Sequence, residues 1–330
     1  MARFYTDADA DLEQIREEPI AIIGYGNQGR AQALNLRDSG LQVLVGNLQD
    51  AYWQQAVEDG FQPMSPAEAA RQGRIICLLV PDEVQQQLYE RDIAPALQPC
   101  DALDFAHGYS IRYGLIRPPA EVDVILVAPR MIGTGVRELF LKGSGAPCAV
   151  AVEQDATGRA WQRALAFAKA IGATRTAALE TTFAEETELD HFTEQAVMPV
   201  VFSLLVESFD LLVARGYQPE MVALELWASG EPSETWGQIA SMGLFRQLDL
   251  HSRTSQYGTL TRSTSGLREQ LRAIAEKGLA EIRSGAFARE WEAERSAGYA
   301  VFNKLKRQAL CHPLNEVEQT IREALRRARE

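Results

Sequence analysis

The chain has 330 residues, 46% hydrophobic and 24% charged, with a formal net charge of −12 and a pI near 5.0. That length allows two domains with substantial cores, and the acidic balance argues against nucleic acid or an anionic lipid surface as a partner. No apolar run approaches the roughly 20 residues of a membrane span, and the N-terminus has no apolar leader core. Cys77, Cys100, Cys148 and Cys311 are too scattered for a disulfide or zinc framework, so a cytoplasmic protein with reduced thiols is expected.

The strongest local signal spans residues 19–46. A short apolar strand, Pro19-Ile-Ala-Ile-Ile23, runs into Gly24-Tyr25-Gly26-Asn27-Gln28-Gly29. A helix-compatible stretch from Arg30 to Arg37 follows, and after Gly40 a second strand, Leu41–Val45. A glycine triplet set between a strand and a helix predicts dinucleotide binding. The first glycine permits the tight turn, the second lets backbone approach a diphosphate, and the third allows close helix–strand packing. The diphosphate then meets the unpaired amides of the helix N-terminus.

The end of the second strand, Gly46-Asn47-Leu48-Gln49-Asp50-Ala51-Tyr52-Trp53, contains no Lys or Arg. A 2′-phosphate needs cations or hydroxyls there, whereas a carboxylate suits the free ribose hydroxyls of NAD. Asp50 is the candidate for that contact. It is equally suited to capping the next helix. The absence of a cation in this loop favours NAD under either reading.

Further strands are predicted at Arg74–Val80, Ala102–Phe105, Val122–Val127 and Ala149–Val152, with helices after Pro81-Asp82 and over Thr157–Ile171. Strands alternating with helices predict a parallel, doubly wound sheet whose ligands bind beyond the strand C-termini. His107-Gly108 and Pro129-Arg130 follow strand ends and should line that crevice. A histidine there can orient a ligand or relay a proton, or simply hydrogen-bond its own loop.

Beyond residue 181 the pattern becomes helical, with breaks at Gly216–Pro219, Gly230–Pro232, Gly243, Gln256–Gly258, Ser284-Gly285 and His312-Pro313. The stretch Glu180–Gln195 is crowded with acid, and Glu186, Asp190 and Glu194 fall four apart, on one helix face. Such a row is either solvated or relieved by a hard cation such as Mg²⁺. Glu225 sits between Val-Ala-Leu and Leu-Trp, and a buried carboxylate in that setting needs a metal, a cation or a raised pKa. Ser252 lies in a polar loop and can meet a substrate carboxylate.

These motifs together resemble the ketol-acid reductoisomerase family. The likeness is carried by Gly24 to Gly40, Tyr5-Thr-Asp-Ala-Asp-Ala-Asp11, Phe105-Ala-His-Gly108, Glu180-Thr-Thr-Phe with Asp190 and Glu194-Gln-Ala-Val, and Gly216 to Met221. Phe287-Ala-Arg-Glu-Trp291, Phe302-Asn and His312-Pro313 extend it to nearly the whole chain. The resemblance implies a fold of class α/β plus all-α: a Rossmann dinucleotide domain over 1–181, and a helical, knotted metal, substrate and dimerisation domain over 182–330. It implies Mg²⁺ ions bridged by carboxylates, some donated across a homodimer with a shared active site, itself compatible with a larger oligomer. The family reaction shifts an alkyl group in a 2-hydroxy-2-methyl-3-oxo acid and reduces the product with NADPH to a 2,3-dihydroxy acid.

By position, the resemblance makes His107 the active-site histidine, Asp190 and Glu194 metal ligands, Glu225 a ligand from the partner subunit, and Ser252 a substrate contact. Tyr25 to Gln28, Asp82, Gln85 and Gly133 hold the dinucleotide, beside Gly24, Gly29, Asn47 and Asp50. Three departures stand out. The usual second glutamate, four residues after Glu225, is Ser229, with Glu231 close by as a substitute acid. Gly230 and Pro232 disturb the helix that would present both acids. The usual Pro-Lys-Gly-Pro-Gly loop is Pro129-Arg130-Met131-Ile132-Gly133, and arginine is a planar fork where lysine is a point charge.

With the cation-free cofactor loop, these departures point to a repurposed member that uses Mg²⁺ and NAD on a 2,3-dihydroxy or 2-hydroxy acid. His107, Arg130, Glu225 and Glu231 are the catalytic candidates, and Ser229 faces the altered substrate. The expected course is oxidation by NAD⁺, an enediolate stabilised by Lewis-acid Mg²⁺, and return of the hydride. Cyclopropanol ring closure with loss of dimethyl sulfide, in secondary metabolism, is the reaction of a diverged member that this chain resembles. The alternatives are an acetohydroxy-acid isomeroreductase of branched-chain amino-acid biosynthesis and a non-catalytic NAD-binding sensor.

Overall fold

The computed structural model describes residues 2–327. The chain forms two compact units, one ending at Leu189 and the other beginning at Asp190.

The first unit is built on eight strands: β1 (Phe4–Tyr5), β2 (Ile20–Ile23), β3 (Val43–Gly46), β4 (Ile75–Leu78), β5 (Ala102–Phe105), β6 (Asp123–Pro129), β7 (Cys148–Gln154) and β8 (Ala178–Glu180). Their order is β1-β8-β7-β6-β5-β4-β2-β3. From β3 to β6 every neighbour is parallel, as the alternating sequence predicts. The rest of the sheet departs from that expectation. β7 runs antiparallel to β6, β8 is parallel to β7, and β1 is antiparallel to β8. The sheet is therefore mixed, because the chain turns back along β6 after a helix instead of crossing over it. The two- and three-residue strands β1 and β8 are too short to show a period in sequence.

The helices of this unit are α1 (Asn27–Asp38), α2 (Ala51–Glu58), α3 (Pro66–Gln72), α4 (Asp82–Leu88), α5 (Tyr109–Arg112), α6 (Gly133–Leu141) and α7 (Ala160–Ala170). They cover both faces, so all four residues of β2, β4 and β5 are buried and the strands read as unbroken apolar runs. One face packs Ile20, Ile22, Ile125 and Val127 with Leu36 and Phe167. The other packs Ile23, Ile76, Leu78 and Phe105 with Leu88, Tyr89 and Phe183. Arg163 on α7 ties that helix to the start of β6 and to the segment before β2, donating from Nη1 to Asp123 Oδ2 at 2.8 Å and from Nη2 to Glu18 Oε1 at 2.8 Å.

Helix α8 (Phe183–Phe192) begins in the first unit. Thr182 Oγ1 accepts from the Glu185 amide at its start. The second unit continues with α9 (Met198–Ala214), α10 (Pro219–Ala223), α11 (Glu231–Met242), α12 (Arg253–Arg262), α13 (Ser265–Arg283), α14 (Ala286–Ser296), α15 (Ala300–Leu310) and α16 (Leu314–Arg327). Breaks at Gly216, Gly243 and Gly285 coincide with left-handed backbone (φ 90°, 104° and 69°) that only glycine adopts at ease. The expected break at Gln256–Gly258 is absent, for those residues lie inside α12. An interior glycine costs a helix only about 1 kcal/mol, too little to end one that Ser252 caps well.

The core of this unit is small, centred on Phe209, Val222, Ala223 and Ile321. Trp227 packs against Phe209 and donates from Nε1 to Glu318 Oε1 at 2.8 Å. Large apolar side chains remain exposed, among them Phe202, Leu204, Phe245 and Tyr257. The continuous helical run Phe183–Ala214 is 32 residues long and passes for a membrane span by length and composition alone, though charged residues interrupt it and it contains no unbroken apolar run of that length. Its acidic first turns, and Glu207 and Asp210 within it, fit poorly with hydrocarbon.

One carboxyl group is out of place in this core. Asp104 lies in the middle of β5, fully buried, opposite Cys77 of β4. Burial pushes its pKa well above the ordinary carboxylate range, only partly offset by the Cys77 thiol and the backbone of Val127 and Phe105. An acid that stays protonated when folded but ionises at about pH 3.9 when unfolded stabilises fully only below that pH. Stability should therefore fall as pH rises above about 4, until the folded pKa is passed. Asp104→Asn should flatten that part of the profile. Urea unfolding of both proteins between pH 4 and 7 tests this, and identical slopes would contradict it.

Candidate active site

The three glycines of the loop after β2 divide the labour that the motif predicts. Gly24 has φ 100°, and a side chain there would lie 2.7 Å from Val80. A Cβ on Gly29 would lie 1.9 Å from the Gly24 carbonyl oxygen. Gly26 faces open space, with nothing within 4 Å of a Cβ. Two glycines thus close the turn, and the middle one leaves room for a ligand at the N-terminus of α1. Tyr25 borders the cleft beside this loop and is at the same time a core residue. Its ring is fully buried against Phe61, and its hydroxyl donates to Asp59 Oδ2 at 3.0 Å. Burial and that carboxylate raise the phenol pKa. Arg30 in turn grips Asp59 at 2.6 and 2.9 Å and holds its pKa down. Asn47 is likewise structural: its Oδ1 accepts from the Tyr25 amide at 2.9 Å, tying the end of β3 to the glycine loop.

Between β2, β3 and β4, at the point where the strand order reverses, lies a cleft of about 750 Å³. Gly24 to Gln28, Asn47, Leu48, Asp50, Asp82, Gln85 and His107 line it. Asp50 caps the next helix, the second of the two roles its sequence position suits. Its Oδ1 caps α2, accepting from the Tyr52 and Trp53 amides at 2.9 and 3.1 Å and from Asn47 Nδ2 at 2.9 Å. The carboxylate nevertheless borders the cleft, where its other oxygen can accept from a ribose. The one lining residue that carries a positive charge is Arg91, and Asp92 holds it at 2.9 and 2.6 Å.

At the opposite end of the cleft, His107 Nδ1 lies 3.0 Å from Asp82 Oδ2. The ring stacks on Tyr109 at 6.0 Å between centroids. Gln85, expected at the cofactor, spends its amide internally: Nε2 donates to Val80 O at 3.1 Å, and Oε1 accepts from Ser110 Oγ at 2.7 Å. Asp82 and Gln85 therefore brace the histidine loop, though both border the cleft. Gly133 serves packing as well, since a Cβ there would lie 2.1 Å from the Asn27 carbonyl oxygen. The adjoining Thr134 amide donates to Asn27 Oδ1 at 3.1 Å.

The residue that sequence reasoning misplaced is Glu186. Instead of joining a row of metal-seeking acids, its side chain is 1% exposed. Oε2 accepts from the Gly108 amide at 2.8 Å, and Oε1 takes Arg130 Nη2 at 2.6 Å. Gly108 must be glycine, because a Cβ would sit 2.5 Å from Thr187 Oγ1 and 2.8 Å from the Phe183 carbonyl oxygen. Helix α8 and the histidine loop are thus in backbone contact, and Arg130 neutralises the buried acid. The unit formed by His107, Asp82, Glu186 and Arg130 was visible in sequence only as four separate candidates.

In the second unit, Asp190 is half-buried and Glu194 exposed, separated by the change from α-helix to a π-turn at Thr193–Val197. Glu225 occupies another π-turn, Leu224–Ala228, and is exposed within the chain, contrary to the burial expected from its apolar neighbours. Ser229 ends that turn in extended backbone (ψ 173°), and Glu231, also exposed, opens α11. The two acids accordingly belong to different helices. Ser252 is the N-cap of α12, where its Oγ accepts from the Ser255 amide at 3.2 Å.

Family models match both halves of the chain: the acetohydroxy acid isomeroreductase NADPH-binding domain over residues 14–177, and the ketol-acid reductoisomerase C-terminal domain over residues 183–327. The chain belongs to the ketol-acid reductoisomerase family. It is 42% identical over 327 residues to ketol-acid reductoisomerase (NADP(+)) of Pyrobaculum aerophilum, covering 98% of this chain and 99% of the relative. The corresponding enzyme of Methanopyrus kandleri is 43% identical over 328 residues, with coverage of 98% and 99%. The structure of an NADH-preferring ketol-acid reductoisomerase from an uncultured archean superposes with a TM-score of 0.92 at 35% identity, covering 97% of this chain and 98% of that one. The domain that carries the glycine loop is therefore an NAD(P)-binding domain on an oxidoreductase and isomerase scaffold.

A hard cation such as Mg²⁺, expected from the sequence resemblance, would need oxygen donors. Asp190 and Glu194 are of that chemistry, and Mg²⁺ commonly takes one or two carboxylates with waters. Among the described residues no three His, Cys, Asp or Glu side chains form a cluster that could hold a metal ion. The Glu186 clamp is open to a direct test. Glu186→Ala strands the Gly108 amide and the Arg130 guanidinium, and should cost about 2–4 kcal/mol. Glu186→Gln keeps an acceptor and should cost less. A loss under about 0.5 kcal/mol for the alanine variant in urea unfolding would show that the clamp holds nothing.

Proposed function

We propose that this chain is a Mg²⁺-dependent reductoisomerase that uses NADH to convert a 2-hydroxy-3-oxo acid, by alkyl shift and reduction, into a 2,3-dihydroxy acid. The observation that carries the cofactor choice is the Asp50 carboxylate at the cleft, with the cations that line the cleft and the adjoining cavity already ion-paired: Arg91 with Asp92, Arg30 with Asp59 and Arg137 with Asp38. A 2′-phosphate would meet a carboxylate and no available guanidinium, whereas a ribose 2′-hydroxyl can donate to it. The NADH preference of the similar archaeal enzyme supports this reading, although the relatives from Pyrobaculum and Methanopyrus carry NADP in their names.

Asp82 fixes His107 at Nδ1, so proton exchange with a substrate oxygen falls to Nε2, beside the end of the cleft where hydride would move. Arg130, anchored on Glu186, brings a planar donor fork to the same end, suited to a substrate carboxylate or developing oxyanion. Asp190 and Glu194, with Glu225 from a second copy of the chain, would hold Mg²⁺, which supplies Lewis-acid polarisation of substrate oxygens. The exposure of Glu225 and of Phe202, Leu204 and Phe245 supports such a homodimer, since apolar surface on this scale marks an interaction face. The substrate is a small hydroxy acid, and the proposed compartment is the cytoplasm.

The break at Ser229-Gly230 favours a second reading. It takes the next acid, Glu231, off the helix that carries Glu225. A site so altered suits oxidation of a 2,3-dihydroxy acid by NAD⁺, rearrangement and re-reduction, with cyclopropanol ring closure as one such outcome. Acetolactate and a 2,3-dihydroxy acid should be assayed separately with Mg²⁺ and each cofactor. Acetolactate turnover with NADH at about 1 s⁻¹ or more supports the first reading. Turnover of only the dihydroxy acid supports the second, and NAD binding without any turnover would leave a sensor. Asp50→Arg should lower KM for NADPH by about tenfold, as one favourable charge contact of roughly 1.4 kcal/mol would. An unchanged KM would remove the argument from this loop.

A further inference from the structure

We infer that Arg91 is the residue on which the adenine of the dinucleotide stacks, a role that rests on the cleft being an NAD(P) site. The cleft has two ends. His107, after β5, marks the end where the hydride is exchanged, and Asp50, after β3, marks the ribose of the adenosine half. The base attached to that ribose must lie between the loop after β3 and helix α4. On that side the walls are Leu48, Pro66, Val84, Leu88 and Arg91. Val84, Leu88 and Arg91 fall at i, i+4 and i+7, a single helical face directed at the cleft.

Arg91 also stands where the regular helix is interrupted. Residues Tyr89–Ile93 form a π-turn directly after α4, and this turn packs against α3 on the adenosine side. The molecule's other π-turns among the described residues carry Glu194 and Glu225, and π-turns recur at functional sites. Asp92 grips Arg91 through Nε and Nη2, so it fixes the plane of the guanidinium by one edge and leaves both faces uncovered by the pair. The side chain remains 58% exposed. A planar cation held edge-on beside an apolar wall is a platform for an aromatic ring. Neutralised by Asp92, it is a poor partner for an extra phosphate.

The test is dinucleotide binding to the full-length protein, read by NADH fluorescence. Arg91→Ala should weaken NADH about five- to tenfold, in keeping with a partly solvated cation–π contact. NADPH should weaken by the same factor, because both carry the same base. Reduced nicotinamide mononucleotide, which lacks the adenosine half, should bind equally to both proteins. Arg91→Lys keeps the charge without the plane and should resemble the alanine variant. Unchanged NADH affinity would overturn the inference. So would equal weakening of the mononucleotide, which would mean a loosened fold. Weakening of NADPH alone would make Arg91 a phosphate ligand and overturn it too, while leaving the NAD(P) site itself intact.

Discussion

The buried carboxylate of Glu186 is the constraint on which the candidate site depends. A carboxylate 1% exposed must be matched by donors, and here they are the Gly108 amide and Arg130. The first fixes the loop that carries His107, and the second fixes the loop after β6. Because both donors converge on α8, the first turns of that helix are fixed against the loops that follow β5 and β6. The glycine at 108 is the steric condition for this arrangement, since any side chain would collide with Thr187.

The cofactor cleft follows a different logic, in which polar groups hold one another and leave backbone and one carboxylate for the ligand. Tyr25, Asn47, Gln85 and Gly133 brace the loops, and Gly26 and Asp50 face the space between them. Residues around a dinucleotide motif are thus of two kinds, those that shape the loop and those a ligand can reach. Family position alone does not separate them.

That distinction marks how far the sequence was legible. The glycine turn, the parallel strands β2 to β6 and the helical second half could be read because each has a period or a steric signature. The antiparallel return of β7 could not, since the direction in which a strand pairs leaves no mark on its own residues. Glu186 was read with Asp190 and Glu194 because spacing reports a shared helix face and is silent on what that face meets. Its ion pair with Arg130 spans 56 residues and exists only after folding. Glu225 looked buried from its apolar neighbours, but the π-turn turns it outward. The separation of Glu225 from Glu231 was expected from Gly230 and Pro232, and the structure realises it as a helix boundary.

On the proposed function, Asp190 at the end of α8 and Glu194 in the π-turn after it would begin a Mg²⁺ site. The most direct measurement is calorimetric titration of the purified protein with Mg²⁺, beside the Asp190→Asn variant, with no substrate present. The account predicts saturable binding that the substitution weakens by at least about tenfold, the effect of losing roughly 1.4 kcal/mol from a carboxylate ligand. Equal Mg²⁺ affinity in the two proteins, with the fold intact, would contradict it.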